Sequence, residues 1–126
     1  MTLSKKETLY ETTANTLIKS DISSVRIGYT YILEAVVYII CNGGSVAGIT
    51  KIIYPYLAKK FCTSVYAVER AIRTVISDAC NGNNEYIRSL CGAKEGDALH
   101  ITNKEFIYKS VKTVKNQLEI VNYDEY

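Results

Sequence analysis

The sequence predicts an all-α protein, a compact bundle of about six helices that contains a helix-turn-helix. Two patterns carry this expectation. Apolar residues recur at three- and four-residue spacing through most of the 126 residues, the period of an amphipathic helix rather than of a strand. Hairpin signals are scarce as well: Pro55 is the only proline, and the Asn/Gly clusters fall between long periodic stretches, where they end helices. A chain of this length predicts one domain, residues 1–126, with a core that needs neither disulfides nor metal.

Residues 3–19 carry Leu3, Leu9, Leu17 and Ile18 among Thr, Glu and Lys, which predicts a modest amphipathic helix ending near Ser20-Asp21. Asp21, Ser23 or Ser24 is the expected cap of the next segment. From Val25 to Cys41 the chain is strongly apolar, as a central core helix requires. A membrane span is excluded by Glu34 in its middle and by an uninterrupted apolar run far short of the roughly 20 residues a span needs. Asn42-Gly43-Gly44 then stops the helix. The Gly-rich segment Gly43 to Gly48 lacks the spacing of a phosphate-binding loop. A short helix from Val46 to about Tyr54 is expected next, with Ile49, Ile52 and Ile53 inward and Lys51 outward.

The stretch from Pro55 to Cys80 organises the rest. Pro55 suits a first helical position. Leu57, Ala58 and Phe61 then fall at helical spacing, with Lys59 and Lys60 turned outward. Cys62-Thr63-Ser64 breaks the pattern, and Thr63 or Ser64 can cap a second helix. That helix, about residues 64–80, has an apolar stripe of Val65, Val68, Ile72, Val75, Ile76 and Ala79. Tyr66, Glu69, Arg70, Arg73, Thr74 and Ser77 fall on or near the other face. A small Ala58 lets the two helices cross closely. This is the layout of a helix-turn-helix with its second helix in the DNA major groove. The bland alternative is a helical hairpin with a solvated charged face. Arg, Glu and Thr are types that reach base edges, and the turn offers the Thr63 and Ser64 hydroxyls and helix N-terminal N–H groups to phosphate.

Asn81-Gly82-Asn83-Asn84 ends that helix, and Glu85 to Cys91 makes a short one closed by Gly92. Residues 93–100 are expected to form the most mobile loop. Thr102 with Glu105 three residues on is a capping box, and Ile101 can staple onto Phe106. Phe106, Ile107, Val111, Val114, Leu118 and Val121 continue as one stripe. Lys104, Lys109, Lys112 and Lys115 lie outside it, as a solvated face.

Net charge is only +2, so its distribution decides. Between Ser45 and Ser77, Lys51, Lys59, Lys60, Arg70 and Arg73 stand against Glu69 alone, a balance of +4 that leaves −2 for the rest. The basic charge sits on the organising element. Cys41, Cys62, Cys80 and Cys91 show no C-x-x-C spacing and lie in or beside helical patterns, which predicts free thiols in a reducing cytosol. With His100 the only histidine, there is no zinc pattern, and most triads and His-based proton shuttles are ruled out. No secretory signal is visible in residues 1–20, so a cytoplasmic protein is expected. Paired carboxylates and nucleophile-base sets are also missing, so no enzyme, cofactor or metal is predicted.

Gly28-Tyr29-Thr30-Tyr31-Ile32-Leu33-Glu34-Ala35, Gly48-Ile49-Thr50-Lys51-Ile52-Ile53-Tyr54-Pro55, Leu57-Ala58-Lys59-Lys60-Phe61 and Val68-Glu69-Arg70-Ala71-Ile72-Arg73 stand in this order. Together they resemble the C-terminal effector domain of the sporulation stage-zero master response regulator family. Thr102-Asn103-Lys104-Glu105-Phe106-Ile107 resembles that domain's last helix, and the likeness spans roughly Ala14 to Val114. The resemblance implies a compact six-helix domain that binds short guanine-containing boxes near promoters, often as a head-to-tail pair. It further implies a link to sporulation initiation and RNA polymerase as a partner. Glu69, Arg70 and Arg73 match the family's base-reading positions, whereas Thr74 stands where a histidine is expected. The receiver domain that precedes the effector in the family is not in this sequence.

Two functions are therefore carried forward. The first is a sequence-specific regulator of transcription on double-stranded DNA. Glu69, Arg70, Arg73 and Thr74 face the bases in it, and Lys59, Lys60, Thr63, Ser64 and Tyr66 face the backbone. The second is a receiver-less interaction module that pairs with or antagonises a full-length response regulator. Such a module needs no base-reading arginines, and this chain has them.

Overall fold

The computed structural model describes residues 3–43 and 48–124. Among them it shows six α-helices and no strand: α1 Leu3–Lys19, α2 Ile27–Cys41, α3 Tyr54–Lys60, α4 Val65–Gly82, α5 Glu85–Cys91 and α6 Asn103–Asp124. A π-helical turn, Ile49–Ile53, leads directly into α3. The all-α fold class stands as expected.

The most apolar helix is at the centre. α2 packs against α1, α3, α4 and α6 and buries Tyr31, Ile32, Ala35, Val36, Val37 and Ile39. α1 and α6 lie against each other on one side of it, closing over Leu9, Leu17, Phe106, Ile107, Val111 and Val114. Each such side chain, fully buried, contributes about 1.5–3 kcal/mol. α1 keeps its buried hydroxyls satisfied locally. Thr13, Thr16 and Ser20 donate to the carbonyls of Leu9, Thr12 and Thr16 at 2.7, 3.0 and 2.9 Å.

Several expectations need correction. α2 begins at Ile27, not Val25, and the residue before it, Arg26, is extended and supplies no side-chain cap. Asp21 serves the other helix instead. It takes a left-handed φ of 64° and closes α1, with Ile22 N–H bonded back to Leu17 O at 3.1 Å. Ile18, Val25 and Ile27 are exposed. Ile52, expected inward, is 52% exposed while Ile49 and Ile53 are buried. The wider π turn keeps residues four apart on one face and rotates the third away. Val65, the first residue of α4, is also exposed. Val46, the expected start of the short helix, lies outside the described residues, as do the side chains of Leu3 and Val121.

The last two helices follow their punctuation. Asn84 Oδ1 accepts from Ile87 N–H at 2.8 Å to start α5, and Gly92 ends it at φ 65°. Thr102 Oγ1 accepts from Glu105 N–H at 3.1 Å and donates to the Glu105 carboxylate at 3.2 Å. Ile101 and Phe106 are both buried, as a staple demands. The loop 93–100 carries more hydrogen bonds than its composition suggests. Arg88 donates to Asn83 Oδ1 at 2.6 Å and to the carbonyls of Lys94 and Asp97, and Lys94 N–H donates to Asp97 Oδ2 at 3.0 Å.

Candidate nucleic-acid interface

α3, the turn and α4 form the helix-turn-helix that the apolar spacing implies. α3 ends in a left-handed step at Cys62, φ 53°. Thr63 N–H then bonds back to Ala58 O at 2.9 Å, a closed C-terminal turn. Ser64 is extended, and its Oγ accepts from Ala67 N–H at 3.0 Å. Of the two capping candidates, Ser64 does the capping. Ala58 is buried beneath the crossing, and Leu57 is fully buried.

α4 is sharply two-faced. Val68, Ile72, Val75, Ile76 and Ala79 are buried, whereas Tyr66, Arg70 and Arg73 are exposed and Glu69 and Thr74 are half-buried. The candidate base-facing residues therefore share one solvent-facing strip. Arg73 donates to the Glu69 carboxylate one turn back at 2.9 Å, which holds its guanidinium along the helix. Thr74 Oγ1 donates to Arg70 O at 2.9 Å, so that hydroxyl is turned toward its own helix. Arg70 makes no ion pair among the described residues.

Two elements wall this strip. On one side, the first turn of α2 sits directly on α4. A Cβ on Gly28 would lie 2.4 Å from Ala71 O and 2.8 Å from a Val75 methyl, so only glycine permits the approach. A groove of about 280 Å³ runs there, between Arg26 and Ile27 on α2's side and Tyr66, Arg70 and Thr74 on α4. Arg26 reaches across to Asp78 at 3.3 Å. On the other side stands the start of α6. Asn103 Nδ2 donates to Tyr54 Oη and to Glu69 O, both at 3.1 Å. It thus joins α3, α4 and α6 behind the strip, and burial raises the Tyr54 hydroxyl's pKa.

The two α3 lysines differ. Lys59 is exposed. Lys60 donates to Glu34 Oε2 at 2.9 Å, and Tyr10 Oη donates to the same oxygen at 3.0 Å. The Lys60 ammonium also lies 5.8 and 5.9 Å from the Tyr56 and Phe61 ring centroids. Its pKa is raised, chiefly by the hydrogen bond to Glu34. Tyr10 is raised too, first by burial and then by Glu34. Glu34, the acid inside the apolar run, is thus the hub that ties α1, α2 and α3 together. Sequence reading placed Glu34 in the core helix without a partner and did not single out Arg26, Asp78 or Asn103. A lone acid in an apolar stretch was the available signal for the first; the others pair across folds of the chain that periodicity cannot see.

No helix among the described residues is long and apolar enough to cross a membrane, and no cluster of metal-ligating side chains occurs among them. Residues 13–114 match the family described as Sporulation initiation factor Spo0A C terminal. That span contains α2, the π turn, both helices of the motif, α5 and about half of α6, in the order the sequence resemblance set out. The chain belongs to the family of sporulation initiation factor Spo0A C-terminal domains.

Proposed function

We propose that this protein is a sequence-specific DNA-binding regulator of transcription, acting in the control of sporulation initiation with α4 in the major groove. One observation supports the reading above all. Arg70 and Arg73 stand on the exposed strip of a helix whose opposite face is buried, and α2 and α6 fix that helix from both flanks. Membership in the sporulation initiation factor family points the same way.

In this reading Arg70 and Arg73 each hydrogen-bond the O6 and N7 of a guanine. Glu69 pre-orients Arg73 and can accept from a cytosine amino group. Thr74 sets the edge of the read sequence. Lys59, Lys60, Thr63, Ser64 and Tyr66 fix the helix on the sugar-phosphate backbone without choosing a sequence. Two copies dock head to tail on tandem boxes, and RNA polymerase is the downstream partner.

Selection of bound sites from a random DNA pool tests this directly. Guanine-containing boxes should emerge. Arg70→Ala and Arg73→Ala should each cost about 1–3 kcal/mol on the selected box and much less on unrelated DNA. Full affinity and full preference in both variants, with an unchanged melt, would refute major-groove reading by α4. The interaction-module reading would then take its place.

A further inference from the structure

We infer that Arg26 is a DNA backbone anchor: from the groove between α2 and α4 it grips one backbone phosphate beside the base that Arg70 reads. The inference rests on the reading of α4 as the major-groove helix.

The geometry begins with small residues. Ala67 and Ala71 line the side of α4 that turns from the exposed strip toward α2. They leave space where longer side chains would fill it. Gly28 lets α2 close onto the same side of α4. Arg26, two residues earlier, is therefore held at the edge of the strip by packed backbone rather than carried on a loose arm. Arg26 and Arg70 both line the resulting groove, and the Tyr66 and Thr74 side chains line it with them.

Chemistry then names the occupant. The Arg26 guanidinium presents five N–H donors in a planar fork that matches the oxygens of a phosphate. A helix in the major groove is bordered by a sugar-phosphate strand on either side, and contacts to those strands set its register. The strand on α2's side meets this groove. Asp78 does not compete strongly for Arg26. The pair is 3.3 Å apart with half or more of each side chain exposed, and an exposed pair of this kind holds its partners weakly. In the free protein Asp78 keeps the guanidinium beside the groove; on DNA the phosphate takes its place.

Arg26 should thus supply affinity without preference, which separates it from the base-facing pair. Arg26→Ala should weaken binding to selected and unrelated duplexes by similar factors. Losing one phosphate contact lowers the salt slope by about 0.9, so the wild-type advantage should shrink about 3.5-fold as salt rises from about 50 to about 200 mM. Arg26→Lys should retain most of the slope, since it keeps the charge. A scan of the selected duplex with single neutral methylphosphonate linkages compares the wild-type protein with Arg26→Ala, whose fold a circular dichroism melt checks first. It should find one flanking linkage whose neutralisation weakens the wild-type protein but not Arg26→Ala. If Arg26→Ala matches wild type in affinity and salt slope, or no linkage shows that dependence, Arg26 is not an anchor. If Arg70→Ala lowers affinity for the selected box in those same experiments, only the Arg26 inference falls. If the wild-type protein binds no duplex, the reading of α4 falls with it.

Discussion

Gly28→Ala puts the close contact between α2 and α4 to a test. The added Cβ would stand 2.4 Å from Ala71 O and 2.8 and 2.9 Å from the two Val75 methyls. A carbon and a carbonyl oxygen rest about 3.3–3.6 Å apart, so α2 and α4 must separate by about 1 Å. The nearest atom is backbone, so no side chain can rotate out of the way. Overpacking of this kind costs about 1–3 kcal/mol, with backbone clashes toward the upper end. Alanine in a helix returns up to about 1 kcal/mol relative to glycine. The net expectation is a loss of about 2 kcal/mol. With a urea dependence of about 2 kcal/mol per molar, the unfolding midpoint should fall by about 1 M. The midpoint is read by circular dichroism in a urea titration. A midpoint equal to or above wild type would show that α2 and α4 are not in the contact described, and with it the placement of Arg26 would lose its support.

Two further outcomes follow from the charged and titrating groups. Lys59→Ala should weaken DNA binding more than Lys60→Ala, because Lys60 is already engaged by Glu34 at 2.9 Å; Lys60→Ala should instead lower the thermal midpoint, and a reversed order in paired binding and melting measurements would contradict this division. The Cys80 thiol, buried beside Cys91, has its pKa pushed from 9.0 up to about 11, chiefly by burial. Its folded value lies above the unfolded one, so its contribution to stability is full below pH 9 and is lost as pH rises toward 11. Timed alkylation at mildly alkaline pH should modify exposed Cys41 and Cys62 well before Cys80, and the urea midpoint should decline across that window; equal labelling rates would refute the burial argument.

Much of the fold was readable because helix signals are local. The spans of α1, α5 and the start of α6 follow from apolar spacing and from Asn84, Gly92, Thr102 and Glu105, which act within a few residues of themselves. The two-faced α4 was readable for the same reason, and so were the exposed positions of Arg70 and Arg73. What escaped is non-local or geometrical. Arg26 meets Asp78 across 52 residues, Asn103 meets Glu69 across 34 and Lys60 meets Glu34 across 26, and nothing in a one-dimensional pattern announces such meetings. The exposure of Ile52 escaped because an α-helical period was assumed where the backbone takes a π turn. Asp21 was read as a start signal because Asp favours caps, yet its tolerance of a left-handed φ made it a stop.

The strip on α4 is held from behind and from the sides, and this has a consequence for diversification. Asn103 grips the backbone carbonyl of Glu69, not its side chain, and α2 abuts Ala71 O and Val75. The side chains of Arg70, Arg73 and Thr74 take no part in either support. Their identities can be exchanged while the helix keeps its seat, so under the proposed function the read-out could be rewritten independently of the frame. A library randomised at these three positions should therefore yield folded members with new preferences, whereas the same randomisation at Gly28, Asn103 or Val75 would erode the frame itself.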